Sequence, residues 1–563
     1  MSRQRIPLRA NLFTSLDDPE RAALLAGRCG RCDGHHFPAQ EVCPYCFADG
    51  CTPVALGRTA SLYVHTAITK APPGYTGPVP YGFGVVELPE RLRLVTRLTE
   101  SDQARLRHGM PMRLVVEPLF ADEEGREVWS YAFAPAPHAG VRTQAEAGQR
   151  ERPGMGQETR DAKSTGRETD GGPGVTSPVG RGGARQVEIA GVGIHPFGRF
   201  PDKSVVDIGQ VAVRGALADA GIGRGDFQAA FCGTVYAGCA AGHRVLSGLG
   251  LTGIPIINVE AGCASSGAAL NLAAAAVAAG RYDRVLVFGI EKMPSGIIDS
   301  TFFDTWRKQG GLAATPAYFG LRARRLMLGS GVTAEHLAQV SVKNHRNGVH
   351  NPNAMFRKEF SLEAVLGSPM VCDPLTLYML CSPNEGAAAV VVQAAGAGGG
   401  TARPVQVAAT VLTSHQPGSV LGEHTPLSGL TDAAVPSPTE LAARAAYEAA
   451  GLGPEDLDVV ELQDTDSGRE LLSYEELLLC GRGEAARLLQ DRVTEMGGRC
   501  PTNPSGGLLS KGEPVGASSL GQVVELCWQL RGEAGPRQVP GARVGLSHTV
   551  GRGANASVII LMV

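Results

Sequence analysis

Apolar and polar positions change period several times along the chain, and those changes divide it. Five short runs, at 59–66, 82–88, 91–98, 112–117 and 129–134, alternate apolar with polar side chains. A period of two puts one face of each run in a core, and Pro- and Gly-rich breaks separate the runs. The pattern predicts a small antiparallel β-barrel. Upstream, 18–26 carries a helical spacing. From His138 to Gln186 large apolar side chains nearly vanish and Gly, Arg, Glu, Thr and Ser dominate. Such a stretch buries too little apolar surface to offset chain entropy and reads as a disordered linker.

Beyond the linker the pattern lengthens into α/β. A β-rich run at 254–259 leads into an alanine-rich helical run at 267–279, and 334–347 is also helical. The unit repeats itself: Arg214-Gly-Ala-Leu-Ala-Asp-Ala-Gly-Ile-Gly-Arg-Gly-Asp-Phe parallels Arg444-Ala-Ala-Tyr-Glu-Ala-Ala-Gly-Leu-Gly-Pro-Glu-Asp-Leu. In each copy a helix stops at a glycine (Gly221, Gly451) and a strand follows, at 229–235 and 459–464. Duplicated α/β halves predict two similar layers with active-site loops at their seam. The organisation expected is helix and zinc ribbon over 1–55, barrel over 56–137, linker over 138–186, and two halves over 187–400 and 401–563.

Composition narrows the function. At 563 residues there is material for several cores. A net charge of −3 gives no electrostatic reason to expect nucleic acid or an anionic membrane as partner. No apolar run reaches membrane-spanning length, and the N-terminal arginines (Arg3, Arg5, Arg9) precede no signal-like apolar stretch. Thirteen cysteines without a signal segment read as reduced thiols, metal ligands or catalysts of a cytoplasmic protein.

Two groups of cysteines carry chemistry. Cys29-x2-Cys32 and Cys43-x2-Cys46 place four soft thiolates within reach of one tetrahedral cation, which predicts a structural Zn2+. His35 and His36, between the knuckles, are expected at the surface, and Cys51 in packing. Cys263 lies between a strand and a helix, in Asn258-Val-Glu-Ala-Gly-Cys263-Ala-Ser-Ser-Gly. Unpaired N–H groups and the helix dipole at such a junction favour thiolate, hence a nucleophile. The competing reading is a buried thiol packing as a small hydrophobe. The Gly-rich 238–250 segment lacks the Gly-x4-Gly-Lys-Ser/Thr pattern of a phosphate loop.

From about Val187 to Val563 the chain resembles the thiolase superfamily, in the branch of the sterol-carrier-protein thiolases and lipid-transfer-protein-like aldolases. The likeness rests on 258–267, on Lys343-Asn344-His345 with Asn351-Pro352, and on Cys381-Ser-Pro-Asn-Glu-Gly-Ala-Ala-Ala. It continues in Asn503-Pro-Ser-Gly-Gly, in Gly512–Gly516, and in His548-Thr-Val-Gly-Arg-Gly. The N-terminal unit resembles the zinc-ribbon and OB-fold module that accompanies such enzymes. The resemblance implies two βαβαβαββ halves layered α/β/α/β/α, an acyl-CoA substrate with CoA, and a homodimer. It also implies an acyl-Cys263 intermediate.

Where the family has a histidine in Gly-His-Pro, this chain has Glu513 between Gly512 and Pro514. Glu513 is expected either as the base or as a carboxylate orienting another group, such as His548. The element that helps form the oxyanion hole reads Gln463-Asp464-Thr465-Asp466, so Gln463 is a candidate donor beside Asp464, and the family's second thiol is missing there. Where degradative thiolases end in Cys-x-Gly, this chain has Ser547-His548-Thr549, which makes His548 a candidate proton shuttle or a structural histidine. Tyr378 and Cys381 are candidates to line the acyl pocket, Tyr378 also as an acid. His345 is a candidate contact or a helix-packing residue, and Arg322, Arg324 and Arg325 are candidates for CoA phosphates.

Three functions compete: thiolase-type acyl transfer through Cys263, retro-aldol cleavage of a β-hydroxyacyl-CoA, and acyl-CoA or lipid binding without catalysis. Turnover by Cys263→Ala separates the first two, and binding without turnover identifies the third.

Overall fold

The computed structural model describes residues 4–136, 175–179, 183–250, 253–296, 298–299, 302–398, 403–416, 435–551 and 555–563. Most of the expected linker lies outside these residues. Of its end, Ser177 and Val179 are buried, and the Ser177 hydroxyl accepts a hydrogen bond from the Thr410 amide at 3.2 Å.

The five alternating runs form a closed ring. Thr59–Ile68 pairs with Tyr81–Glu87, which pairs with Arg93–Leu98; Glu127–Pro135 and Pro111–Ala121 complete the circuit back to Thr59–Ile68. One pairing, Arg93–Leu98 with Glu127–Pro135, is parallel. The barrel is therefore mixed, of OB type, and not wholly antiparallel. Inward residues such as Leu62, Val64, Phe83, Leu94 and Phe133 are fully buried.

Residues 18–26 form no helix. The Asp18 carboxylate accepts from the Glu20 amide at 3.1 Å, a local side-chain bond that makes a turn before Pro19 can lead a helix. Leu24 and Ala26 then bury at a spacing of two, as the strand Leu25–Arg28 requires. That strand joins His35–His36 and Thr52–Ala55 in the three-stranded ribbon sheet.

Barrel and C-terminal unit share one core. Phe83 meets Tyr318 edge-on at 5.2 Å, and Tyr318 stacks on Phe303 at 5.7 Å. Tyr81 donates to the Gly311 carbonyl at 2.7 Å and Thr66 to the Asp373 carbonyl at 2.7 Å. Ile68 also pairs with Cys372, so the short strand Met370–Cys372 extends the barrel sheet. The chain then runs through Leu375–Thr376 and Leu377–Met379 into Cys381.

The C-terminal unit is built on a nine-stranded sheet. Five strands belong to the first half, ordered Ile256–Val259, Ala230–Gly233, Arg284–Lys292, Glu385–Ala394, Val187–Gly198. Four belong to the second: Val405–Thr413, Ala556–Met562, Val544–Val550, Val459–Leu462. Among the described residues, the two halves pair within the sheet at Glu188 with Gln406 and Ile189 with Val405. The helices Ser265–Ala278 and Ser518–Arg531, buried along most of their length, pack against strands of both halves. Val205–Asp219 covers the first half from outside, and Pro438–Ala450 the second. This is the duplicated, layered architecture.

Candidate active site

The two central helices begin on one strand. A Cβ added at Gly289 of Arg284–Lys292 would lie 2.4 Å from the Gly516 carbonyl oxygen and 2.9 Å from Ser266 Cβ. At Gly233 it would lie 2.5 Å from Ser266 Cα. Only glycine allows backbones this close. The turns at Cys263 and Glu513 consequently sit side by side. Cys263 precedes the helix Ser265–Ala278, in a turn closed by the Ser265 hydroxyl, which accepts from Ala261 at 2.9 Å. The thiol is half-buried, not sealed.

Glu513 stands at the seam. Gly512 has φ +82°, and a Cβ there would fall 2.0 Å from Asn384 Nδ2. Glu513 N donates to the Ser382 carbonyl at 2.9 Å, and Asn384 N donates to the Glu513 carbonyl at 3.3 Å. Cys381 N donates to the Thr465 carbonyl at 2.9 Å. Three loops, at 381–384, 463–466 and 512–514, are thereby laced together through main-chain bonds.

Their side chains meet. Cys381 Sγ donates to Glu513 Oε2 at 3.3 Å, and Gln463 Nε2 donates to Glu513 Oε1 at 2.9 Å. Gln463 Oε1 in turn accepts from the Val550 amide at 2.6 Å, which fixes the amide's orientation. Gln463 thus holds the Glu513 carboxylate. Burial, together with the neighbouring Glu513 charge, pushes the Cys381 thiol well above its usual range, and Cys263 is close enough to add to that effect.

Two buried acids support the loops. Glu291 accepts from the amides of Val235 at 2.9 Å, Tyr236 at 3.0 Å and Gly516 at 3.2 Å, and burial pushes its pKa up to about 7. Asp466 pairs with Arg322 in the interior and caps Arg469 N at 2.9 Å. Neither acid was singled out from sequence. The signal was there for Glu291, a lone carboxylate ending an apolar strand run.

Other candidates lie elsewhere. His548 is fully buried, and its Nε2 meets Thr439 of the outer helix Pro438–Ala450 at 3.0 Å. Its neighbours Ser547 and Thr549 face the other way, donating to Gln522 of the central helix at 2.9 and 3.0 Å. Strand alternation therefore points His548 away from Cys263. Asp464 accepts from Leu508 N at 2.6 Å and Leu509 N at 3.2 Å, anchoring the helix Gly507–Lys511 that leads into Gly512. His345 is buried edge-on to Phe360 at 4.7 Å, and burial pushes its pKa down to about 4. Tyr378 stacks on the same Phe360 at 4.3 Å.

The three arginines have partners within the fold. Arg322 is committed to Asp466, Arg324 pairs with Asp373, and the Arg325 guanidinium lies 5.1 Å from the Tyr63 ring of the barrel. Arg322 thereby braces the 463–466 loop, Arg324 the 373 turn, and Arg325 lies against the barrel.

The ribbon cysteines fit zinc. All four sulfurs lie within 4.8 Å of one another, with Cys29–Cys46 and Cys32–Cys43 both at 3.6 Å. A tetrahedral ion with Zn–S of ~2.3 Å needs S–S separations of ~3.8 Å. Arg31 N and Tyr45 N each donate to a cysteine sulfur at 3.4 Å, as in knuckle turns. His35 and His36 add no ligand to this cluster, but His36 is buried rather than at the surface, its ring packed in the ribbon with Nε2 3.3 Å from the Gln40 amide. Cys29, Cys32, Cys43 and Cys46 would hold structural Zn2+ far from the Cys263 turn in sequence.

Comparison with known proteins gives a consistent assignment. Residues 187–374 match the thiolase N-terminal domain, and 419–563 the thiolase C-terminal domain-like family. Residues 17–50 match the ChsH2 rubredoxin-like zinc ribbon domain, and 53–117 the ChsH2 C-terminal OB-fold domain. Acetyl-CoA acetyltransferase of Methanothermobacter thermautotrophicus is 40% identical over 389 residues, 67% of this chain and 99% of that protein. Sterol carrier protein 2 of Bos taurus is 37% identical over 394 residues, 67% of this chain and 72% of that protein. Among solved structures, the Ltp2-ChsH2(DUF35) aldolase is similar with a TM-score of 0.60 at 25% identity, covering 67% of this chain and 97% of that one.

Proposed function

Because this chain belongs to the thiolase superfamily, in its sterol-carrier-protein branch with a zinc ribbon and OB-type barrel fused in front, we propose that it cleaves or forms the C2–C3 bond of a 3-oxoacyl-CoA through an acyl-Cys263 intermediate. The carrying observation is a half-buried thiol at the start of a central helix, beside the Cys381–Glu513–Gln463 cluster. In the cleavage direction Glu513 takes the Cys263 proton, and the thiolate adds to the C3 carbonyl. The C2–C3 bond then breaks to leave a thioester on Cys263 and a carbanion at C2 of the CoA-bound fragment. CoA, entering as the thiol, releases the acyl group as a second acyl-CoA. Gln463 keeps the carboxylate in place, and Glu291 and Arg322 keep the loops in place.

Retro-aldol cleavage of a 3-hydroxyacyl-CoA is the second reading. The 0.60 TM-score likeness to the Ltp2-ChsH2(DUF35) aldolase supports it, as does a carboxylate where a histidine is usual. There Glu513 would take the C3 hydroxyl proton and Cys263 would form no covalent bond. Matched 3-oxo and 3-hydroxy acyl-CoA substrates offered to wild type and Cys263→Ala decide between them. Acyl transfer requires loss of turnover in the variant; retained 3-hydroxy cleavage would establish the aldolase. Self-pairing through the edge strand Ile256–Val259, where Ile257 is exposed, is the oligomeric arrangement that accompanies this reading, and light scattering tests it.

A further inference from the structure

We propose that Cys381 is the site's second catalytic thiol, delivering the proton to C2 of the substrate when the carbon–carbon bond breaks and recovering it from the incoming CoA. The inference rests on the thiolase reading above and adds a residue to it. The element that resembles the family's oxyanion loop, Gln463-Asp464-Thr465-Asp466, contains no cysteine, so a second thiol has to come from elsewhere. The fold supplies one. Cys381 sits on a loop laced to both neighbouring site loops by the bonds to Thr465 and between Ser382 and Glu513. Its sulfur donates to Glu513 Oε2 and lies within electrostatic reach of Cys263. The other cysteines described in the C-terminal unit are placed differently: Cys232, Cys372, Cys500 and Cys527 are buried in cores, Cys239 is exposed, and Cys480 packs half-buried against the core of the second half.

The protons balance. Cys263 gives its proton to Glu513 and attacks C3. As C2–C3 breaks, its electron pair becomes a carbanion at C2, which takes the proton of Cys381 and leaves that residue as thiolate. The Cys381 thiolate then removes the proton from CoA-SH. The CoA thiolate attacks the Cys263 thioester and expels Cys263 as thiolate, ready to take back the proton stored on Glu513. The order of events follows from the contact. While Glu513 is charged, it holds the Cys381 proton in place. Once Glu513 has accepted the Cys263 proton, that restraint is gone and Cys381 becomes the stronger acid at the moment a carbanion forms.

The test separates this step from acylation. Acetyl-CoA acylates Cys263 without any change at C2, which intact-protein mass spectrometry reads. Exchange of the acetyl-CoA C2 hydrogens in D2O needs the proton carrier, which NMR reads. With full-length protein, Cys381→Ala and Cys381→Ser are expected to reach the same final extent of Cys263 acylation as wild type, at a rate slowed by loss of the proton given to the departing CoA, and to lose C2 exchange by at least about a hundredfold. Acylation also shows that each variant is folded. Serine can replace the hydrogen bond to Glu513, so exchange restored by serine would reduce Cys381 to a positioning residue and overturn the proposal. Wild-type exchange in Cys381→Ala would overturn it too. Failure of Cys263 to acylate in the wild type would instead sink the thiolase reading itself.

Discussion

Replacing Glu513 with glutamine probes the site with little disturbance elsewhere. The main-chain bonds that hold residue 513, to Ser382 and from Asn384, do not involve its side chain. The amide is isosteric, so its oxygen can still accept from Gln463, while its NH2 faces Cys381. The cost to stability is that of weakening two side-chain hydrogen bonds, each about 1 kcal/mol. A melting curve is therefore expected to shift by only a few degrees. The chemical cost is larger. Glutamine cannot take the Cys263 proton, and general base assistance is typically worth about a hundred- to ten-thousandfold, or ~2.7–5.4 kcal/mol of barrier. The assay is single-turnover acylation of Cys263 by acetyl-CoA, quenched and read by intact mass, beside the melt. A folded Glu513→Gln protein acylated within about tenfold of wild type would refute the role given to this carboxylate.

Other expectations follow from the same geometry. Arg322→Met strands Asp466 in the interior without its ion partner, for a loss of about 3–5 kcal/mol in chemical denaturation; adding Asp466→Asn, which removes the unpaired charge, is expected to recover part of it. His345 has its pKa lowered to about 4 by burial, so the unfolded chain binds its proton first as pH falls. Stability from this residue is full above about 6.5 and is lost on descending toward about 4, on the order of 3 kcal/mol, and His345→Phe should flatten that slope in pH-dependent melts. Removal of zinc with a chelator is expected to release one ion per chain and expose the ribbon to proteolysis while Cys263 still acylates, measured on the same sample. His548→Gln should lower stability by about 1 kcal/mol through its contact with Thr439 and leave the acylation rate unchanged.

Much of the architecture was legible because it rests on local periodicity. Alternation located the barrel strands, the duplicated Ala-rich helix ending in glycine located the halves, and paired Cys-x2-Cys knuckles located the zinc ligands. The failures also have local causes. At 18–26 a helical spacing lost to the turn built by Asp18, because side-chain bonding to nearby backbone competes with helix formation. Glu513 was marked by its Gly-x-Pro turn, but its contact with Cys381 joins residues 132 apart in sequence, and no spacing reveals that. His548 had a family precedent; which sheet face it occupies depended on strand register, which only the assembled fold provides. The shared core of barrel and Tyr318 was equally hidden, since Phe303, Trp306 and Tyr318 look in sequence like ordinary buried aromatics.

The most direct test of the account is peptide mapping of the intact chain after brief exposure to acetyl-CoA or a 3-oxoacyl-CoA. The account predicts a single thioester on the peptide carrying Cys263, abolished in Cys263→Ala together with turnover. No adduct there, with cleavage persisting in that variant, would contradict it.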